Sequence, residues 1–393
     1  MTTETITLGC RLNFAESETM RRLAPPAEDW VIVNSCAVTA EAVRQTRQAI
    51  RRAHRRRPDA RILVTGCAAE LDRGTFEAMP EVDRVVGNAD KLISTDEVGA
   101  GLGTMTSPVP AGFQGHVRSF VAVQTGCDHR CTFCTIWQAR GPSSSYPFEA
   151  IRDAVAKEID RGAAEIVLTG VDITDYAGGL GRLCQRLIAA EPRLQRLRLS
   201  SLDSIEIDDA LMELIAGEAR LMPHFHLSLQ AGDDLILKRM KRRHSRAQAV
   251  RTVERIKAAR ADATIGADLI AGFPTETEER ALNSLKLLED CDVVAAHVFP
   301  FSPRPDTPAA RMPQLPGEVV KARAARLREA ASARRLTWLE SLVGGKQRVL
   351  IENGGKGHSD GFAPVAIEGA LRGEAGAARI LRREGAQLIG TWA

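Results

Sequence analysis

Residues 124–134 read QTGCDHRCTFC and place Cys127, Cys131 and Cys134 in one short loop. The loop directly follows an apolar run that is typical of a buried strand. Thiolates hold iron–sulfur clusters, usually four for each cubane cluster, so three on one loop leave one iron without a protein ligand. An open coordination position distinguishes a reactive metal centre from a structural one. The loop therefore predicts a reactive iron–sulfur centre; zinc, with His129 or a more distant residue as fourth ligand, is the alternative.

A rhythm of apolar runs and helical stretches continues outward from this loop, over residues 117–301. Strands are expected over 117–125, 164–171, 195–201, 223–230, 263–270 and 292–300. Helices are expected between them at 148–162, 179–190, 207–218, 246–261 and 276–289. Parallel strands with helical crossovers form either a doubly wound sheet or a partial barrel.

Alternation along the fourth and fifth strands distinguishes these two folds. The fourth strand carries polar residues on one face: His224, His226, Ser228 and Gln230. The fifth strand does the same with Thr264, Gly266 and Asp268. A doubly wound sheet buries both faces and its strands are continuously apolar, whereas a barrel can have a polar lumen. We therefore predict a partial (β/α)6 barrel and interpret His224 and His226 as lumen residues rather than metal ligands.

The first hundred residues alternate in a similar way. Buried strands are expected at 5–8, 30–34, 61–65 and 84–86, with helices at about 15–23 and 40–56. A cysteine follows each of the first three strands: Cys10, Cys36 and Cys67. Helical crossovers favour parallel strands, whose carboxyl ends face one crevice, so the three thiols should converge there. We predict an open α/β sheet domain with these cysteines as metal ligands rather than core residues.

Three domains follow from the changes of pattern along the chain. Residues 99–115 are rich in glycine and proline and are interpreted as a linker. A long helix rich in arginine, alanine and leucine is expected over 315–343, and the residues after it are glycine-rich with short β-like runs. The predicted domains are an N-terminal α/β domain over 1–100, a partial barrel over 115–335 and a small all-β module over 338–393.

Composition limits the class of protein. With 393 residues, 44% of them hydrophobic and 26% charged, the chain is typical of a globular enzyme rather than a disordered protein. It has no apolar stretch long enough to span a membrane, and MTTETITLGC lacks a secretory signal, so we expect a cytoplasmic protein without a membrane contact. Its eight cysteines should not form a disulfide framework in that compartment. Cys184 and Cys291 are interpreted as core residues.

Arginines cluster although the net charge is only +3. From Arg44 to Arg61 the chain has eight arginines and a single acid, Asp59. Helical spacing collects four of them on one face: Arg44, Arg47, Arg51 and Arg55. Such a stripe can contact the phosphate backbone of a nucleic acid; a solvated helix face is the alternative.

The cysteine loop resembles the hallmark of the radical S-adenosylmethionine (SAM) superfamily, a Cx3Cx2C motif after the first strand of a βα repeat. The resemblance implies that Cys127, Cys131 and Cys134 hold a [4Fe–4S] cluster whose open iron chelates SAM. In that family, one-electron reduction cleaves SAM to methionine and a 5′-deoxyadenosyl radical. The candidate SAM contacts lie near strand ends or face the lumen: Gly170, Asp172, Ser200, Gln230 and Asp268. Ordinary hydrogen bonding inside the barrel is the alternative for the last three.

Other motifs narrow the resemblance to the methylthiotransferases. TLGCRLNFAESE (7–18), VNSCAVTAEAVRQTR (33–47) and VTGCAAE (64–70) are similar to the three cysteine motifs of their N-terminal domain. This resemblance implies that Cys10, Cys36 and Cys67 hold a second [4Fe–4S] cluster with its own open iron. EIVLTGVDI, HFHLSLQAGDD, LKRMKRRHS, DLIAGFPTETEE and FSPRPDTPAARM follow in the family's order. The C-terminal module looks like a short TRAM domain, a small β-barrel used for RNA binding.

The first two cysteine motifs are most like those of the family members that act on threonylcarbamoyladenosine in tRNA. The resemblance implies methylthiolation of that adenosine next to the anticodon, by a monomer that needs an electron donor and a sulfur source. The partner is then the anticodon stem–loop of tRNA, with the adenosine flipped into the barrel. The alternatives are isopentenyladenosine in tRNA, an aspartate of a ribosomal protein, and a non-catalytic iron–sulfur protein that binds RNA and senses redox state.

Overall fold

The first sheet lies in the N-terminal part of the chain, and its strands are parallel. The computed structural model describes residues 3–24, 29–92, 109–112 and 116–393. Within them, the first sheet has the order β1–β2–β3–β4. Its elements are β1 (Glu4–Thr7), α1 (Arg11–Leu23), β2 (Trp30–Ser35), α2 (Ala40–Arg56), β3 (Arg61–Gly66), α3 (Cys67–Leu71), α4 (Arg73–Glu77) and β4 (Arg84–Val85). The predicted open α/β sheet is confirmed.

Local sequence explains these elements. β2 is buried along its whole length and β3 along all but its first residue, so both are largely apolar. α2 begins after Thr39, whose side chain accepts a hydrogen bond from the Ala42 amide. The helix buries Ala49, Ile50 and Ala53 and turns most of its arginines away from the sheet.

The central region forms a curved set of strands covered by helices. Its strands are β5 (Ala111–Gly112), β6 (Arg118–Ala122), β7 (Gln124–Thr125), β8 (Ser144–Ser145), β9 (Glu165–Thr169), β10 (Leu197–Leu199), β11 (His224–Gln230), β12 (Thr264–Ala271) and β13 (Val293–Pro300). Its helices are α5 (Ile136–Arg140), α6 (Phe148–Asp160), α7 (Leu180–Ala190), α8 (Asp209–Gly217), α9 (Asp234–Arg239), α10 (Arg246–Ala259) and α11 (Glu278–Asp290).

The central strands pair in parallel and match the predicted partial (β/α)6 barrel. Two sheets have the orders β10–β9–β6–β5 and β11–β12–β13. Parallel bridges from Leu197 to Leu221 and from Leu202 to Leu227 join them into one curved wall. β6 and β9 to β13 all run in the same direction along this wall. Along this wall β6 and β9 to β13 follow one another in chain order, without the reversal that marks a doubly wound sheet, so the doubly wound alternative is wrong.

Two details differ from the sequence expectation. The expected strand over 117–125 is broken, because β7 leaves the sheet and pairs antiparallel with β8. β5 lies within the predicted linker over 99–115 and pairs antiparallel with β6. The Thr19 hydroxyl of α1 also accepts a hydrogen bond from the Ala111 amide of β5 at 3.1 Å. Residues 99–108 and 113–115 of that linker lie outside the described residues.

The barrel lumen is polar, as predicted. Phe225, Leu227 and Leu229 of β11 belong to the hydrophobic core between the strands and the helices. Successive side chains of a strand point to opposite faces, so His224 and His226 face the lumen. Cys184 and Cys291 are fully buried in the same core, which confirms their interpretation as core residues.

The C-terminal residues, all of them described, form a closed barrel with the order β14–β15–β16–β18–β17. The elements are α12 (Gly317–Ser341), β14 (Lys346–Asn353), β15 (Lys356–Ser359), β16 (Pro364–Ile367), β17 (Ala375–Glu384) and β18 (Gln387–Trp392). This module packs against the starts of the central strands. The Phe362 ring stacks on His224 with centroids 5.1 Å apart, and Thr264 Oγ1 donates to the Gly361 oxygen at 2.8 Å. The predicted all-β module is confirmed, and the domain boundaries stay a prediction.

None of the described helices combines the length and the apolar character that crossing a bilayer requires.

Candidate active site

The cysteine loop begins where β7 ends. Gly126 has a φ of +74°, and a Cβ at this position would lie 1.8 Å from the Pro142 carbonyl oxygen, so a side chain does not fit there. The Cys127 residue follows directly, and the Cys134 amide donates to the Cys131 oxygen at 3.1 Å. The loop therefore folds into a tight turn that carries all three cysteines.

Hydrogen-bond donors face two of the three sulfurs. The Ile136 amide donates to Cys134 Sγ at 3.3 Å, and Arg242 Nη1 lies 3.7 Å from Cys131 Sγ. Burial raises the pKa of the Cys127 thiol to about 12 and the pKa of the Cys134 thiol to about 11. Metal binding therefore has to displace protons from these thiols. Donors that face sulfur are typical of thiolates around an iron–sulfur cluster, so the donor set fits such a cluster.

His129, in the same loop, faces three carboxylates. Its Nε2 lies 3.5 Å from Asp172 Oδ2 and 3.7 Å from Glu206 Oε1, and its Nδ1 lies 4.0 Å from Asp203 Oδ2. Arg242 Nη2 bonds Asp203 Oδ2 at 2.8 Å. Sequence reasoning named Asp172 but missed the other two acids and Arg242, because only the fold brings these separate segments together. The three carboxylates hold His129 beside the cysteine loop, and two of them also pair with arginines, Asp203 with Arg242 and Glu206 with Arg243.

Gly170 and Asp172, two of the SAM candidates, lie beside the cysteine loop. Asp172 Oδ2 is 4.0 Å from Cys127 Sγ, and a Cβ at Gly170 would lie 2.7 Å from the Gln124 carbonyl oxygen. The Val171 and Asp172 amides both donate to Gln124 Oε1, at 3.1 and 2.9 Å. Gln124, which sequence reasoning missed, thus holds this turn against the start of the loop.

The other three SAM candidates lie on neighbouring strands. Ser200 follows β10 and Gln230 ends β11, whereas Asp268 lies within β12. Asp268 Oδ1 is 3.0 Å from His226 Nε2 and 3.2 Å from His297 Nδ1. Burial alone raises the pKa of Asp268, but the two histidines hold it well below its usual range. Among the described residues, none of these three makes a side-chain hydrogen bond to the cysteine loop, so their contact with SAM stays a prediction.

The second group of cysteines lies at the strand ends of the first sheet. Cys10 is exposed, whereas Cys36 and Cys67 are buried. Gly9 has a φ of +95°, and a Cβ there would lie 2.8 Å from Cys36 Sγ, so the turn before Cys10 passes directly against Cys36. Burial raises the pKa of the Cys36 thiol to about 11. Since β1, β2 and β3 are parallel, Cys67 lies at the same edge of the sheet.

Arg140 connects the two cysteine groups, and sequence reasoning missed it. It is the last residue of α5, the helix after the cysteine loop. Its Nε donates to Cys67 Sγ at 3.2 Å and its Nη2 to Asn13 Oδ1 at 2.7 Å, and the same oxygen lies 3.6 Å from Cys10 Sγ. Its Nη1 donates to Glu16 Oε1 at 2.6 Å. No local pattern marks Arg140, because all of these partners come from the N-terminal part of the chain.

Acid should weaken the fold through Glu16, which also bonds Lys91 Nζ at 2.6 Å. Burial alone raises the pKa of Glu16, but Arg140 and Lys91 hold it at about 2, below the ordinary 4.5. The carboxylate therefore stabilises the fold above pH 4.5, and this stability, about 3 kcal/mol, is lost as the pH falls toward 2. In thermal melts of the metal-free protein, the melting temperature of Glu16→Gln should fall less between pH 4.5 and pH 2 than that of the wild type.

The exposed Glu213 provides the matched control for this measurement. Glu213→Gln should keep the wild-type dependence of melting temperature on pH, because an exposed carboxylate gains little from folding. Equal acid slopes for Glu16→Gln and the wild type would contradict the role given to Glu16.

Comparison with known proteins places this site in a family. Residues 2–87 match the uncharacterized protein family UPF0004, and residues 121–288 match the Radical SAM superfamily. The threonylcarbamoyladenosine tRNA methylthiotransferase MtaB of Rickettsia prowazekii is 43% identical over 93% of this chain and 91% of its own length. MtaB of Thermotoga maritima is 33% identical over 88% of this chain and 85% of its own length. A tRNA-2-methylthio-N(6)-dimethylallyladenosine synthase of Cereibacter sphaeroides is 33% identical over 92% of this chain and 91% of its own length.

Solved structures support the fold. The radical SAM methyltransferase TsrM from Kitasatospora setae aligns with a TM-score of 0.53 and 16% identity, covering 76% of this chain and 68% of its own. Membership of the radical SAM superfamily implies a [4Fe–4S] cluster and SAM, so the zinc alternative is not supported. With both family models matched in order and relatives of this identity along nearly its whole length, the chain belongs to the radical SAM methylthiotransferase family.

Proposed function

We propose that this enzyme methylthiolates N6-threonylcarbamoyladenosine next to the anticodon of tRNA. The observation that carries the proposal is the 43% identity, over 93% of the chain, to an enzyme named for that substrate. The bond from Arg140 to Cys67 supports the reaction type, because it holds the second cysteine group against the segment that carries the radical SAM motif. A tRNA substrate agrees with the cytoplasmic location that we expect.

Two [4Fe–4S] clusters are proposed, each held by three thiols: Cys127, Cys131 and Cys134 for one, and Cys10, Cys36 and Cys67 for the other. The proposed SAM contacts are Gly170, Asp172, Ser200, Gln230 and Asp268. When bound, these groups supply a radical that removes hydrogen from the adenine C2 carbon, the sulfur atom that replaces it and the methyl group. An electron donor and a sulfur source come from outside the chain, which we take to act as a monomer.

The protein's own residues bind and orient in this proposal. An aromatic C–H is too weakly acidic for a side-chain base, so no residue is assigned to remove that proton. Arg140 orients Asn13 and Cys67 through its hydrogen bonds. Phe362 closes the end of the lumen at which the strands begin, since its ring stacks on His224 and lies 5.0 Å from the guanidinium carbon of Arg198. Such closure excludes water from a site where a radical has to survive.

Mass spectrometry of tRNA nucleosides tests the substrate. A strain without the gene should lack the 2-methylthio derivative of threonylcarbamoyladenosine and accumulate its precursor. The wild-type gene should restore the derivative, and the Cys127→Ala variant should not. If the strain loses 2-methylthio-isopentenyladenosine instead, the substrate is isopentenyladenosine, the second candidate. That candidate is supported by the 33% identity to a dimethylallyladenosine synthase. Loss of a methylthio group from a ribosomal protein would contradict both tRNA substrates.

The arginine stripe on α2 is the proposed tRNA contact. Arg44 bonds Glu41 with its Nε at 2.8 Å, and Arg51 Nε lies 3.9 Å from Glu81. Exposed ion pairs of this kind contribute little free energy and yield readily to a phosphate. Within the described residues, the remaining two members, Arg47 and Arg55, make no ion pair, and all four lie away from the buried face of the helix.

Neutralising this stripe should weaken tRNA binding. The variant changes four residues to glutamine: Arg44, Arg47, Arg51 and Arg55. Each lost phosphate contact reduces the number of counterions released, so the slope of log K against log salt should flatten by roughly 2 to 4. Fluorescence anisotropy with labelled tRNA at several salt concentrations measures this slope.

A matched control changes four exposed arginines on the barrel helices: Arg182, Arg186, Arg251 and Arg255. This control should keep the wild-type slope. An unaltered slope in the stripe variant would favour the solvated-face alternative and move the search for the RNA surface to residues 321–335 and the C-terminal barrel.

A further inference from the structure

Two acids on the lumen side of the barrel, Glu165 and Asp268, are already paired with basic side chains of the same chain. Asp268 lies within 3.2 Å of two histidine nitrogens. Glu165 is bonded within 3.0 Å by three arginines: Arg118, Arg196 and Arg198. Neither acid is therefore available to a further cation of the protein.

Arg11 is such a further cation. It is the first residue of α1, next to Cys10, and its guanidinium carbon lies 6.0 Å from the centroid of the Phe120 ring on β6. Four charged side chains act on it: Arg198, Arg118, Glu165 and Asp268. Over the described parts of the chain, Arg11 makes no hydrogen bond and no ion pair.

Arg11 is half-buried, so water solvates its charge only in part, and within the described residues no acid pairs with it. A second guanidinium is satisfied only in part. Arg198 is 1% exposed, and its Nη1 has no hydrogen-bond partner among the described residues. Arg11 therefore has no acceptor among the described residues, and Arg198, which bonds Glu165 and the Asp360 oxygen, has one nitrogen left without an acceptor. Unsatisfied buried donors of this kind indicate a ligand rich in acceptors.

We propose that Arg11 is a specificity-determining residue that binds the carboxylate of the substrate nucleoside at the barrel lumen. The inference rests on the proposed function, since the threonyl group of N6-threonylcarbamoyladenosine carries a carboxylate and the isopentenyl group carries none. A guanidinium matches a carboxylate with two parallel N–H bonds. Because Arg11 is adjacent to Cys10, a carboxylate bound there ties the modified base to the second cysteine group.

A purely structural Arg11 makes a different prediction. If the side chain only packs against Phe120, its replacement changes the binding of every RNA by the same factor. If it binds a carboxylate, the change depends on whether the RNA carries that group. The ratio of two affinities therefore separates the roles even when the variant is less stable than the wild type.

The test uses the reconstituted holoenzyme and two anticodon stem–loop RNAs. One carries threonylcarbamoyladenosine, and the other carries the same nucleoside with the carboxylate converted to a carboxamide. Wild-type enzyme should bind and methylthiolate the carboxylate RNA roughly 100-fold better, because the amide carries no charge and offers the guanidinium one acceptor oxygen instead of two. Arg11→Gln should reduce this preference to about 3-fold or less, mainly through the dissociation constant and KM. Arg11→Lys keeps the charge but cannot donate two parallel N–H bonds, so its preference for the carboxylate RNA should lie between those of the wild type and Arg11→Gln.

Arg182→Gln, an exposed arginine on α7, is the matched control and should keep the wild-type preference. Iron content and thermal melts of each variant show whether it remains folded. The inference is overturned if the wild type binds both RNAs equally or if Arg11→Gln keeps the preference; methylthiolation of the carboxylate RNA by the wild type would then still support the proposed function. If the wild type methylthiolates only an isopentenyladenosine RNA, the proposed function and this inference both fall.

Discussion

Replacing Cys127, Cys131 and Cys134 together by alanine is expected to abolish reductive cleavage of SAM and to leave about four of about eight irons per chain. Those three residues carry the radical SAM motif, and no other described thiol lies on their loop. The remaining irons belong to the proposed cluster at Cys10, Cys36 and Cys67. Iron analysis after anaerobic reconstitution and chromatography of 5′-deoxyadenosine measure both quantities.

Cys184→Ala is the matched control for the cysteine variants, because Cys184 is fully buried in the hydrophobic core and belongs to neither proposed set of cluster ligands. It should retain the wild-type iron content and the wild-type rate of 5′-deoxyadenosine formation. A triple variant that retained the full iron load would contradict the proposal of two clusters. One that lost all iron while keeping its secondary structure would mean that the two cysteine groups assemble their clusters together.

The fold could be predicted where a residue's environment repeats along the chain. Polar and apolar residues alternate from His224 to Gln230, and this pattern distinguished a barrel with a polar lumen from a sheet buried on both faces. Ala111–Gly112 could not be predicted as a strand, since two residues have no periodicity, and their pairing with β6 and their hydrogen bond to Thr19 of α1 appear only in the folded chain. The position of Phe362 under the barrel likewise depends on packing between separate segments.

The residues of the candidate site also differ in whether the sequence alone could identify them. Cysteines at strand ends carry a local signal, because parallel strands bring their carboxyl ends to one edge. Arg140 and Arg242 carry none: each is one arginine among many, and only the fold brings them to Cys67 and to Cys131. Arg11 is a third case. It is singled out because it makes no hydrogen bond and no ion pair among the described residues, which only the fold shows. Sequence reasoning therefore finds the atoms that could ligate metal, and the structure adds the charges that orient them.

Replacing Cys36 alone by alanine is expected to separate the two halves of the reaction. Cys36 lies against Gly9 and next to Cys10, at the edge of the first sheet, and it makes no contact with the Cys127 loop among the hydrogen bonds of the described residues. The variant should still form 5′-deoxyadenosine within about 3-fold of the wild-type rate, while methylthiolated RNA should fall by at least roughly 100-fold, because a lost cluster ligand removes the proposed site of sulfur insertion. Both products are measured in one anaerobic assay with reductant and RNA, beside Cys184→Ala. If Cys36→Ala lost SAM cleavage altogether while remaining folded, the second cysteine group would take part in radical formation, and the division of roles proposed for the two groups would be wrong.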